Sequence, residues 1–356
     1  MSVGYTWVQW SHHKRVYDAT MAAVAAIYII AFVAISKVMH RSPRAISDEV
    51  IILRALGSCA FVLLHMILLI GPACRFSPQL LPLLSNRRHL GVMTFLIALA
   101  HAVIAIGYYH GFGHLNPLVS LLVSNTNFLS LTGFPYQLLG LAALVILFLL
   151  ASTSHDFWLK NLGSATWKRL HMLVYLAYAL LVAHVALGAL QGDRGWLAPA
   201  ATFVGVVCVV SLHLAAGGRE VSRDRAKDKT DNGGEWIDAG PIDEFPQDRA
   251  RTVCAPNGER IAIFRENDSL SAVSNVCAHQ GGPLGEGRII DGCITCPWHG
   301  WQYKAKDGCS PPPFEEKVAT YQVRIVDRRV QVKPKALPPG TPTTPAVISQ
   351  EPPANA

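Results

Sequence analysis

Six stretches of about 20 mainly apolar residues follow one another in this chain, over residues 18–39, 49–71, 89–109, 134–155, 170–190 and 197–216. A helix that crosses a bilayer needs a run of about that length. One large buried helical core is the competing reading. Six such lengths in succession, joined by short polar loops, argue against it. The predicted fold class is therefore multidomain, with a six-helix transmembrane bundle over 18–216 and a small all-β domain behind it.

Composition agrees once it is read by region. Charged residues make up 15% of the 356, against about 25% in a typical globular chain. The deficit lies in 18–216, and residues 217–356 read as ordinary soluble sequence. The net charge of +7 does not imply nucleic acid, because the basic residues cluster beside the apolar runs. Residues 1–17 are read as a cytoplasmic segment without a cleaved signal, since the first run is long enough to stay in the bilayer. Of the eight cysteines, Cys59, Cys74 and Cys208 lie in or beside apolar runs, and Cys254, Cys293 and Cys309 have no framework spacing. That pattern gives no support for an oxidising compartment.

The basic residues also set an orientation. Lys14 and Arg15, Arg75, Arg87 and Arg88, Lys160, Lys168 and Arg169, and the run Arg219 to Lys229 share one side; the other holds Lys37, Arg41, Arg44 and Arg194. The positive-inside rule puts the first set in the cytoplasm. The expectation is a multi-pass protein of the inner membrane with both termini and the C-terminal domain cytoplasmic. The connection 110–133 has no Lys, Arg, Asp or Glu. It reads either as a short helix on the outer surface or as a lid over a cofactor edge.

Ionisable groups inside spans are functional candidates. His65, His89, His101, His155, His171, His184 and His213 lie in the runs or at their ends. Any one of them alone reads equally well as a structural hydrogen bond. Depth makes two of them a pair. His101 lies 12 residues beyond His89 and His184 lies 14 beyond Leu170, about 18 and 21 Å from the inner side at 1.5 Å per residue. Two neutral imidazoles at one depth suit a haem iron. His171 and His184 are 13 residues apart and out of face in an ideal helix, so a small bend or a wide haem orientation is required. Two haems are expected, an outer one between His101 and His184 and an inner one on His171, with His65 preferred to His89 as its second ligand. Arg87 and Arg88 read either as propionate partners or as topology charges.

RRHLGVMTFLIALAHAVIAI, from Arg87, resembles the third helix of ferric-reductase-like transmembrane domains, and TWKRLHMLVYLAYALLVAHVAL, from Thr166, resembles their fifth. The similarity covers roughly 50–215 and is greatest to the haem-binding membrane subunit of the bacterial periplasmic methionine sulfoxide reductase system. Superoxide-generating NADPH oxidases and iron reductases share that core. The resemblance implies haem b on His101, His184 and His171. No glycine-rich dinucleotide fingerprint follows the sixth run, so the electron donor is expected to be a separate protein.

Residues 217–235, charged and bounded by glycines, read as a linker. From Trp236 short strand-like runs give a β domain over 236–335, and the Pro-rich tail 336–356 reads as disordered. At the domain's centre stand Cys277-Ala-His279 and, after 16 residues, Cys296-Pro-Trp-His299. Two thiolates for one iron and two imidazoles for the other is what a Rieske centre needs; tetrahedral zinc is the rival. CAHQGGPLGEG and CPWHGWQY strongly resemble Rieske ferredoxins and the Rieske domains of ring-hydroxylating oxygenases, which implies a [2Fe–2S] cluster and, in Pro311 to Pro313, its covering loop. High-potential respiratory Rieske domains carry two further cysteines and a serine where this chain has Gly282, Trp298 and Trp301; Tyr303 keeps the family's tyrosine. Fewer hydrogen bonds to sulfur imply a low potential, roughly −150 to 0 mV.

These parts suggest a membrane oxidoreductase or electron-transfer component. A cytoplasmic NAD(P)H-dependent flavoprotein reductase or ferredoxin would reduce the cluster, and electrons would pass through b-type haems to a periplasmic protein, metal, oxygen or quinone. A quinone-coupled enzyme and a membrane-anchored redox or haem sensor are the alternatives. No separate domain for a catalytic non-haem iron is evident.

Overall fold

The computed structural model describes residues 12–39, 46–77, 87–155, 164–192, 195–228, 235–279, 281–297, 300–312 and 314–348, with 80, 83, 158 and 162. The chain separates into two compact units, the main division falling between His213 and Leu214.

The first unit is helical. α1 (His12–Met39), α2 (Asp48–Phe76), α3 (Arg87–His110), the short α4 (Pro117–Val123), α5 (Tyr136–Ser152), α6 (Ser164–His171), α7 (Leu173–Leu187), α8 (Ala189–Gly192) and α9 (Leu197–Asp228) follow in order. Among the described residues, five helical stretches are long and apolar enough to cross a membrane: Arg15–Met39, Asp48–Phe76, Arg87–His110, Thr166–Gln191 and Leu197–Arg219. The run expected as the fourth span forms α5, of 17 residues, about 26 Å of helix and at the lower limit for a span. α2 is the most enclosed helix; Leu64 and Leu68 pack with Tyr178 of α7 and Val209 of α9. Ile27, Ile30, Val103, Phe203 and Leu214 face outward, as a lipid-facing surface requires. α4, capped by Asn116 Oδ1 on Leu118 N–H, lies in the charge-free connection and exposes Leu118 and Val119.

Two expectations need correction. Residues 217–228, read as linker, continue α9 to Asp228. Arg, Glu, Ala and Lys in that run are good helix formers and no proline stops it; residues 229–234 lie outside the described set. The tail read as disordered is ordered through Ile348. Leu337 N–H reaches Thr320 C=O, Thr343 N–H reaches Lys306 C=O, and β11 (Ala346–Val347) pairs antiparallel with β4 (Ser269–Ser274). Proline is tolerated there because the stretch needs few ladder hydrogen bonds. Residues 349–356 lie outside the described set.

Among its described residues the β domain has three small sheets. β1 (Ile237–Pro241), β10 (Arg329–Val332) and β9 (Val323–Val326) form one, in that order. A second runs β11-β4-β3-β2, with β2 at Ala250–Cys254, β3 at Arg260–Glu266, and β8 (Thr320–Tyr321) also on β4. The third is β5 (Arg288–Ile290), β6 (Cys293–Thr295) and β7 (Gln302–Lys304). Phe245, Ile261, Ile263, Leu270 and Val330 fill one core. Ala262, Phe264, Leu284, Ile294 and Tyr303 fill another, which contains Cys277 and Cys296.

Candidate functional site

Cys277 follows β4, and Cys296 follows β6 where the chain turns towards β7. The two loops fold alike. Cys277 N–H donates to Gly282 C=O at 2.9 Å and Gly281 N–H to Cys277 C=O at 2.7 Å. Cys296 N–H donates to Trp301 C=O at 2.7 Å and Gly300 N–H to Cys296 C=O at 2.9 Å. Gly281 and Gly300 both sit at φ +69°, a left-handed conformation that glycine adopts without the Cβ penalty. Repeated sequence, Cys-x-His and Cys-x-x-His, has become repeated backbone geometry.

Both thiols are buried. The fully buried Tyr303 places its hydroxyl 3.3 Å from Cys277 Sγ and accepts His279 N–H at 3.2 Å. Burial first, then the adjoining Cys277 sulfur, pushes the Tyr303 phenol far above its ordinary pKa. The hydroxyl therefore keeps its proton and can donate it to a thiolate sulfur. Asn275 locks the approach: its C=O accepts Leu284 N–H, and its Oδ1 accepts Gly285 N–H at 2.7 Å. Pro311 and Pro312 are described and Pro313 is not. His299 and Trp298 likewise lie outside the described residues. The donor set fits a Rieske cluster: two buried sulfurs, matched loops and a protonated hydroxyl aimed at one sulfur. Among the described residues no disulfide forms, and burial raises the thiol pKa of Cys293 and Cys309.

In the helical unit, His101 donates through Nδ1 to Leu53 C=O (2.9 Å), His184 to Tyr136 C=O (2.9 Å), His171 to Trp167 C=O (3.0 Å) and His65 to Phe61 C=O (2.8 Å). A carbonyl can only accept, so each Nδ1 carries the proton and leaves Nε2 as a lone-pair donor. The Nε2 atoms differ in what they meet. That of His65 lies 3.0 Å from Tyr178 Oη. That of His171 is buried with no hydrogen-bond partner. His171 ends α6 and α7 begins at Leu173, while Met172 between them keeps helical backbone angles (φ −65°, ψ −18°), so the two histidines, His171 and His184, lie on one helical run.

His89 pairs with Asp18 at 2.9 Å and His213 with Tyr175 at 3.2 Å, both structural roles; His155 is exposed. Sequence reading missed the partners of the rings. A Cβ on Gly57 would stand 2.9 Å from His101, one on Gly140 2.8 Å from His184, and one on Gly205 2.8 Å from His65. It also missed Trp167, stacked 3.7 Å from His171, with its indole N–H on Thr153 C=O and Arg88 over its face. Nothing in a single helix marks which glycine faces which ring.

Residues 235–322 match the Rieske [2Fe-2S] domain family, and 56–182 match the ferric reductase like transmembrane component. The anthranilate 1,2-dioxygenase ferredoxin subunit of Burkholderia cepacia is 39% identical over 100 residues, 28% of this chain and 91% of that protein. A cholesterol 7-desaturase of Xenopus laevis is 37% identical over 71 residues, 19% of this chain and only 16% of that protein. The ferredoxin of carbazole 1,9a-dioxygenase from Nocardioides aromaticivorans is similar at 23% identity over 29% of this chain and 100% of that one, with a TM-score of 0.27. The chain thus belongs to the Rieske [2Fe–2S] family, its iron–sulfur electron-transfer domain fused to a ferric-reductase-like transmembrane component.

Proposed function

We propose that this protein carries single electrons across a membrane, from a cytoplasmic donor through the Rieske domain and the histidines of the helical unit to an acceptor on the far side. The [2Fe–2S] cluster and two b-type haems supply the one-electron chemistry when bound. Cys277, His279, Cys296 and His299 hold the cluster; His101 and His184 hold the outer haem, and His171 the inner one. His65 is the weaker candidate for the second inner ligand, because Tyr178 already engages its Nε2.

The observation that carries the haem reading is the buried, partnerless Nε2 of His171, with Nδ1 fixed by a backbone carbonyl. Metal-ligating histidines are commonly held in this way. The same Nδ1 anchoring at His101 and His184 supports the outer pair. The donor is a separate NAD(P)H-dependent flavoprotein reductase or a ferredoxin; similarity to a protein named as a dioxygenase ferredoxin subunit favours such an exchange between proteins. The distribution of basic residues favours six spans with both termini in the cytoplasm.

Optical and EPR redox titration of the purified full-length protein tests the proposal. A Soret band with low-spin bis-histidine signals, beside the reduced-state signal of a Rieske centre, is the expected result. Absence of the Soret band in protein that shows the Rieske signal sinks the haem relay.

A further inference from the structure

Trp301 belongs to the second cluster loop through its backbone, whose C=O accepts Cys296 N–H at 2.7 Å. Its side chain serves the first loop. The indole lies flat on His279, ring centroids 4.0 Å apart and planes 7° from parallel. Its N–H donates at 3.0 Å to Oγ of the buried Ser310, in the segment that leads into Pro311. Phe314, anchored by its N–H to Pro311 C=O, tilts against the same indole with ring centroids 4.4 Å apart. One residue therefore ties three loops around the cluster, and its ring is held from three sides.

We propose that Trp301 is a positioning residue for the cluster: it fixes the plane of the His279 imidazole and keeps water from one face of it, and by this holds the reduction potential down. The inference rests on the Rieske assignment. The sign follows from charge. Two thiolates and two neutral imidazoles leave the oxidised centre neutral, and one electron makes it an anion. Water stabilises the anion more than the neutral form, so a dry, apolar cover disfavours reduction. A stack this close also restrains the ring's orientation, and with it the spread of iron–nitrogen geometries.

The test is a redox titration of the full-length protein, followed by EPR, with Trp301→Ala, Trp301→Phe and Ser310→Ala. Trp301→Ala is expected to favour reduction about tenfold, or about 59 mV upward for one electron, and to broaden the g-tensor lines. Trp301→Phe, which keeps an aromatic face without the N–H, is expected to move less. Ser310→Ala releases the indole without removing it and is expected to shift the potential upward too. If Trp301→Ala does not retain its cluster, Ser310→Ala decides alone. An unchanged potential and line shape in a cluster-loaded variant overturns the inference. Loss of the Rieske signal from the unaltered protein would instead remove the assignment beneath it.

Discussion

Tyr303 and Trp301 act on the same centre with opposite sign. The Tyr303 hydroxyl, protonated because it is buried, stands 3.3 Å from Cys277 Sγ. Reduction places more negative charge on sulfur, so a donated hydrogen bond favours the reduced state. A hydrogen bond to a charged group contributes about 1.5 kcal/mol or more. Tyr303→Phe is therefore expected to lower the midpoint potential by about 60 mV, a tenfold change for one electron, measured by EPR titration. A rise would reverse the argument. Gly57 and Gly140 make a second case. A methyl group there stands 2.8–2.9 Å from His101 or His184, and overpacking of this kind costs about 1–3 kcal/mol. Gly57→Ala and Gly140→Ala are expected to lower haem per chain by pyridine haemochrome assay while leaving the Rieske signal intact. Gly205→Ala, against His65, should leave haem content nearly unchanged if Tyr178 is that ring's partner. Equal loss in all three would restore His65 as a ligand. The two short Cys-and-His motifs were plain in sequence because residue type and spacing define them, and the fold sets Cys277 and Cys296 in two loops with matching hydrogen bonds. Tyr303 was legible by resemblance. The glycines and the Trp301 stack were not, since each joins segments that only the fold brings together.

At the level of elements, composition misled in two places for related reasons. A proline-rich stretch looks unable to pack, yet residues 337–348 cross the domain and β11 completes the edge of β4, with Ile348 N–H on Asp268 C=O and Ile348 against the core. An unpaired strand edge is a liability, and covering it requires only a few backbone hydrogen bonds. Truncation after Gly340 is expected to destabilise the domain by at least about 3 kcal/mol, because it removes the Thr343 and Ile348 N–H bonds to the Lys306 and Asp268 carbonyls, the Thr341 carbonyl that accepts the Thr320 hydroxyl, and the Ile348 side chain from the core. The readout is the temperature at which the visible absorbance of the cluster bleaches, and no change would make the strand incidental. The charged run after the last apolar stretch looked like a linker because nothing in it can be buried, but helix propensity alone extends α9 to Asp228. The strand-rich domain and the long apolar helices were plain from periodicity and length. The run read as the fourth span holds α5, of 17 residues, and beyond it the Thr153 and Ser154 hydroxyls donate back to the Leu149 and Leu150 carbonyls.

For the whole molecule, the question is whether one chain can conduct an electron across a hydrocarbon layer roughly 30 Å thick. A single carrier at either face leaves most of that thickness uncrossed. His171 and His184, 13 residues apart, divide it, being about 20 Å apart along the helical run. Both positions must then be occupied for current to pass, although the cluster fills independently of either. Full-length protein reconstituted in vesicles, with the Rieske domain outward and a membrane-impermeant acceptor trapped inside, separates the two requirements. Reductant and a flavoprotein reductase added outside are expected to reduce the trapped acceptor through the unaltered chain. His171→Ala and His184→Ala should each abolish that transfer while the outside reductase still reduces the cluster at its normal rate. Transfer that survives in both variants would mean that the electron does not travel by the histidines. A cluster that no longer reduces in either variant would mean that the substitutions had damaged the protein beyond the proposed relay.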